Sequence, residues 1–140
     1  MLSLVRRTSI LTVEDNPADV FLIRMVLAEY GLPVDLCHAA DGENAMQLLS
    51  RMDPPDLILL DLSLPRMNGV EVLKKLRMDE RFAQVPIAIL TSSDSPKDRG
   101  SAERGGASRY VLKMTNFEAF RNEIWTSINE LLGRTPCPQA

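Results

Sequence analysis

Four stretches of this chain end an apolar run on residues that can do chemistry. "SILTV" (9–13) leads into Glu14 and Asp15, and "LILL" (57–60) leads into Asp61. "VPIAIL" (85–90) leads into Thr91, Ser92 and Ser93, and "RYVL" (109–112) into Lys113. An unpaired carboxylate at the edge of an apolar core is costly, and several together drive a pKa upward unless a cation intervenes. Oxygen-only ligands with room for water suit Mg2+, which prefers octahedral geometry. A carboxylate beside such an ion, a hydroxyl and an ammonium is equipped to accept a phosphoryl group. The cations neutralise equatorial charge while the carboxylate attacks.

These residues work together only if the fold brings the run ends to one rim. Between the runs lie amphipathic segments of helical period. In "NPADVFLIRMVLAEYG" (16–31), Asn16 is placed to cap, Pro17 to open the first turn and Gly31 to stop the helix, with Val20, Ile23 and Leu27 on one face. A second strand is expected over 34–39 and a second helix over "DGENAMQLLSRM", with Ala45, Leu48 and Leu49 inward. A third helix over 70–77 starts after the turn formers Asn68 and Gly69. The last helix, 116–132, carries Phe117, Phe120, Ile124, Ile128 and Leu131 on one face. Regular βα alternation implies an α/β fold, a doubly wound parallel sheet with helices on both faces. Right-handed crossovers favour the flavodoxin-like (βα)5 order 2-1-3-4-5. Ligands then bind beyond the carboxyl ends of the strands, between the first and third, where Glu14, Asp15 and Asp61 converge.

Size and composition agree with one domain. The chain has 140 residues, 45% hydrophobic and 25% charged. Boundaries are expected at 1–8 for an N-terminal extension, 9–132 for the domain and 133–140 for a disordered tail. A net charge of -3 without a basic run gives no case for nucleic-acid binding. No apolar stretch is long enough to span a membrane, and the N-terminus lacks the apolar core of a secretory signal. Cys37 and Cys137 read as free thiols, so a cytoplasmic location is expected.

Together "VED" (13–15), "LLDLSLP" (59–65) with Asn68-Gly69 behind it, "LTS" (90–92) and "YVLK" (110–113) resemble the receiver domain of two-component response regulators. The resemblance covers residues 8 to 132. Phrases such as "VEDNPADVFLIRMVL", "LPRMNGVEVLKKLR" and "TSSD" are most similar to regulators serving phytochrome-type histidine kinases. It implies Asp61 as phosphoacceptor, with Mg2+ held by Asp15, Asp61, the main-chain carbonyl of Ser63 and, through water, Glu14. It further implies Lys113 on a phosphoryl oxygen, Thr91 as switch hydroxyl and Tyr110 as the aromatic that turns inward when Thr91 moves. A histidine kinase is the implied donor. Output is expected through protein contact, with a partner or a homodimer across the last strands and helices, and no enzymatic turnover of an external substrate.

Each residue also has a plainer explanation. Glu14-Asp15 could serve a helix N-terminus, Asp61 an Asx-turn, and Tyr110 or Trp125 the core. His38, on the second strand, is expected to be structural, away from the acids and without a partner that would make it a phosphodonor or ligand. Two other functions stay open: a docking module independent of phosphorylation, and an Mg2+-dependent aspartyl-phosphate hydrolase. The hydrolase typically needs a second acid where this chain has Ser63. A flavin carrier needs a phosphate loop that "EDNPAD" does not provide.

Two departures from the family pattern carry expectations. Met114 follows Lys113 where the family usually has proline, so a trans Lys113–Met114 bond is expected. "SPKDRGSAERGGAS" occupies the place of the fourth helix, yet its only apolar side chain between Pro96 and Gly106 is Ala102. Gly100, Gly105 and Gly106 further oppose helix formation. That segment is expected to be short, polar and mobile.

Overall fold

Strands and helices alternate in the computed structural model, which describes residues 7–29, 31, 33–113 and 116–133. The strands are β1 (Thr8–Val13), β2 (Val34–Ala39), β3 (Leu57–Leu60), β4 (Ile87–Thr91) and β5 (Arg109–Leu112). The helices are α1 (Pro17–Glu29), α2 (Gly42–Leu49), α3 (Gly69–Met78), α4 (Pro96–Gly105) and α5 (Phe117–Leu131). All strand pairings are parallel, in the order β2-β1-β3-β4-β5 expected from the alternation. The termini assigned to an extension and a tail fall mainly outside the described residues, as do Cys137 and the Lys113–Met114 bond.

Side-chain alternation divides the core between the sheet's two faces. Ile58 and Leu60 of β3 join Leu11, Val13, Ile87 and Ile89 against α2 and α3. Leu57 and Leu59 join Ile10, Ala88, Leu90 and Val111 against α1 and α5. Because both faces of β3 are covered, its sequence is a continuous apolar run. Trp125 packs half-buried against the second layer. Phe117, expected inward, is 53% exposed because it opens α5, before the helix settles on the sheet.

Local chemistry sets the helix starts. Asn16 Oδ1 accepts from the Ala18 amide at 2.9 Å, Asn68 caps α3, and Asn116 caps α5. In the turn before α3 the left-handed residue is Arg66 (φ 68°), although Asn68 and Gly69 stand nearby. Asn68 is used as the cap. Gly69 is needed for a close approach: a Cβ there would lie 2.2 Å from the carbonyl oxygen of Asp61.

The fourth segment, expected to be short, polar and mobile with glycines opposing a helix, is corrected in its secondary structure. It forms the ten-residue helix α4, with Ala102 as its only buried residue. Docking here does not use an apolar stripe. Ser95 caps the N-terminus, Pro96 opens the first turn, and Gly106, at φ 98°, ends the helix in the left-handed conformation. Arg77 of α3 then donates Nε to the Gly106 carbonyl at 2.9 Å, and its Nη1 reaches the carbonyls of Phe82, Ala83 and Val85. Its polarity is as expected; the two caps and one guanidinium replace the apolar face.

Candidate functional site

The strand register delivers the site. Val13 pairs with Leu60, so the next residues, Glu14 and Asp61, emerge side by side, with the Asp61 amide bonded to the Val13 carbonyl at 3.0 Å. Thr91 pairs with Leu112, and the Lys113 amide donates to the Thr91 carbonyl at 2.7 Å. One rim therefore carries an acid from each of two adjacent strands and a lysine from a third.

Glu14, Asp15 and Asp61 each place a carboxylate oxygen within 4.8 Å of the others. Glu14 and Asp61 are buried and Asp15 is exposed. Lys113 reaches into this group. Its Nζ lies 3.0 and 3.1 Å from the two Glu14 oxygens, 3.0 Å from Asp61 Oδ2 and 2.8 Å from Asp19 Oδ2. The other Asp61 oxygen accepts from the amide of the exposed Ser63 at 3.1 Å. Burial, reinforced by the Asp61 charge, pushes the Glu14 carboxyl up to about 7, with Lys113 opposing the shift. Burial alone would depress Lys113. Its bonds to Asp19, Asp61 and Glu14 outweigh that and hold its pKa above the ordinary lysine value.

Three carboxylates thus share one ammonium, and a fourth, Asp15, stands beside them. The surplus negative charge, all-oxygen donor set and exposed Asp15 opening to water fit a hard divalent cation such as Mg2+.

Thr91 and Tyr110 are brought together on one residue, Ser93. Thr91 Oγ1 accepts from the Ser93 amide at 3.3 Å, and the Tyr110 hydroxyl donates to the Ser93 carbonyl at 2.7 Å. Tyr110 packs partly buried against the core. The Arg99 guanidinium lies 4.5 Å over its ring and pairs with Asp94. The Ser93 hydroxyl turns to Asp98 in the first turn of α4. It does not serve the acid cluster, as the run "TSS" had suggested.

Sequence reasoning missed two participants. Asp19 could have been noticed as the third acid of "EDNPAD", one helical turn from the strand end. Arg99 had no signal. His38 lies nearer the acids than expected, its Nε2 2.7 Å from the Glu14 main-chain oxygen, and that bond is the structural role expected of it. Parallel pairing of β2 with β1 brings it there, with Thr12 opposite His38.

The response regulator receiver domain pattern matches residues 10–124. The chain belongs to that family. Among curated relatives it is 36% identical over 134 residues to the DNA-binding dual master transcriptional regulator RpaA of Synechocystis sp.. That match covers 94% of this chain and 52% of RpaA, so the chain spans about half of that relative. Among solved structures, the phosphorylated cyanobacterial phytochrome response regulator RcpA is 29% identical with a TM-score of 0.86, covering 96% of this chain and 100% of that one. The receiver domain of sensor histidine kinase PA1611 from Pseudomonas aeruginosa PAO1, with a magnesium ion coordinated in its active site cleft, is 29% identical with a TM-score of 0.77. It covers 91% of this chain and 99% of that domain. RcpA belongs to the phytochrome-associated group that the sequence phrases resembled.

Proposed function

We propose that this receiver is a phosphorylation-controlled switch, accepting a phosphoryl group on Asp61 from the phosphohistidine of a histidine kinase. The observation that carries it is the Lys113 ammonium seated 3.0 Å from an Asp61 oxygen inside a surplus of carboxylates. An Asp61 oxygen attacks phosphorus, the P–N bond to the donor imidazole breaks, and its electron pair returns to that nitrogen. The product is an acyl phosphate. Asp15, Asp61, the Ser63 carbonyl and Glu14 through water would hold Mg2+, which supplies charge neutralisation when bound. Lys113 holds a phosphoryl oxygen and fixes its orientation. Water later attacks phosphorus, releasing inorganic phosphate and the Asp61 carboxylate, so no external substrate is consumed.

The new group adds a charge of about -2 and three acceptor oxygens. Thr91 turns its hydroxyl toward it and surrenders the Ser93 amide, and Tyr110 follows through Ser93, to which both are bonded. A tenfold population shift requires about 1.4 kcal/mol of differential contact. The likeness to RcpA over the whole of that chain supports a phytochrome-type kinase as the donor. Output passes by protein contact, including a homodimer across β4, β5, α4 and α5, in the cytoplasm.

The test is Mg2+-dependent labelling by acetyl phosphate, expected for the wild type and lost in Asp61→Asn. Retained labelling in that variant removes Asp61 as acceptor.

A further inference from the structure

One carboxylate of the pocket belongs to no role assigned so far. Asp19 stands in the first turn of α1, and its Oδ2, 2.8 Å from Lys113 Nζ, makes the shortest of the ammonium's ion pairs there. The Asp19 side chain is 19% exposed and that of Lys113 15%, so the pair is largely withdrawn from water. Asp19 lies outside the oxygen cluster of Glu14, Asp15 and Asp61. The ammonium therefore bridges two kinds of acid: Glu14 and Asp61, which a divalent cation would claim, and Asp19, which it would not.

A metal ion and an ammonium cannot share the same carboxylate oxygens without strong repulsion. Cation binding must loosen the amine from Glu14 and Asp61. A displaced ammonium left unpaired in this pocket would be costly. We propose that Asp19 is a positioning residue that retains the Lys113 ammonium when a divalent cation takes Glu14 and Asp61, so that cation and amine are held side by side. The inference rests on the metal-binding reading above. Before cation binding Asp19 is one of three anchors for the amine; afterwards it is the principal one. Its loss therefore penalises the cation-loaded state more. The retained amine stays at the rim, where an incoming phosphoryl oxygen meets it.

An acid in a first turn also favours its helix through the macrodipole, which affects folding stability alone. Calorimetric titration of the full chain with Mg2+ separates the two roles. Asp19→Asn is expected to weaken Mg2+ binding about five- to tenfold, at the low end of site-to-site coupling. Asp19→Glu is expected to recover most of it. In a Lys113→Met background, or Lys113→Gln should the first not fold, Asp19→Asn is expected to change affinity by less than about twofold. Equal weakening in both backgrounds overturns the proposal, leaving Asp19 a nearby charge. Unchanged Mg2+ affinity with a lowered unfolding temperature overturns it too, leaving a helix-start role. Absence of Mg2+ binding by the wild type overturns this inference together with the metal site itself.

Discussion

Glu14 shows how one residue records the charge balance of the pocket. Its ordinary pKa of 4.5 rises to about 7, first because the carboxyl is buried and then because Asp61 is its neighbour. A raised pKa means that the folded chain binds this proton more tightly than the unfolded one. The contribution to stability is therefore full at low pH and is lost as pH rises through that window. In metal-free buffer the urea midpoint is expected to fall from about pH 5 to about pH 8, and to fall less in Glu14→Gln, which keeps an acceptor without the charge. Added Mg2+ is expected to restore more stability at the upper pH, where the acids are ionised. An identical pH profile for both proteins would show that Glu14 does not set it. Gly69 supplies a second residue-scale test. A methyl group there would collide with the Asp61 carbonyl at 2.2 Å, and the obstacle is backbone. Gly69→Ala is expected to destabilise the fold by about 1–3 kcal/mol and to slow acetyl phosphate labelling by displacing the β3–α3 turn.

At the scale of elements, α4 shows how a helix docks with almost no apolar surface. Arg77 is half-buried, and burial lowers its pKa, yet its guanidinium bonds four main-chain carbonyls from 82, 83, 85 and 106. Arg77→Met is expected to orphan these acceptors and cost about 2–4 kcal/mol in urea unfolding, more than a surface arginine would. Since Ala102 is the only buried residue of α4 while Phe120, Ile124 and Ile128 seat α5, α4 amides are expected to exchange hydrogen faster than those of α5. Equal protection would mean that capping and the Arg77 clamp anchor α4 as firmly as a buried face. The far end of α4 is tied to Thr91 and Tyr110, the proposed switch pair, through Ser93, Asp98 and the Arg99–Tyr110 stack. Movement at Thr91 thus has a material route to this helix.

At the scale of the molecule, a single sheet separates two apolar layers, one holding Leu76 and the other Ile128, both fully buried. Each layer rests on alternate residues of the same strands, so neither can open without disturbing the other. Leu76→Ala and Ile128→Ala are each expected to cost about 2–5 kcal/mol while leaving one cooperative transition. Two separate transitions would show that the layers fold independently. The same sheet aligns the strand ends, so damage to the core should reach the acid pocket through the register of β1, β3 and β4.

The sequence by itself determined the alternation of elements, the strand order and the rim on which Glu14, Asp15, Asp61, Thr91 and Lys113 would meet. It could do so because apolar runs, caps and strand ends are local patterns, and parallel crossovers leave few ways to assemble them. Tertiary structure alone decided that Asp19 joins the pocket, since it is recruited by Lys113, distant in sequence. It also decided that a nearly apolar-free segment becomes α4, because the atoms that hold its end come from Arg77, on another helix. Long-range partners of polar groups leave no periodic trace along a chain; they exist only once the chain has folded.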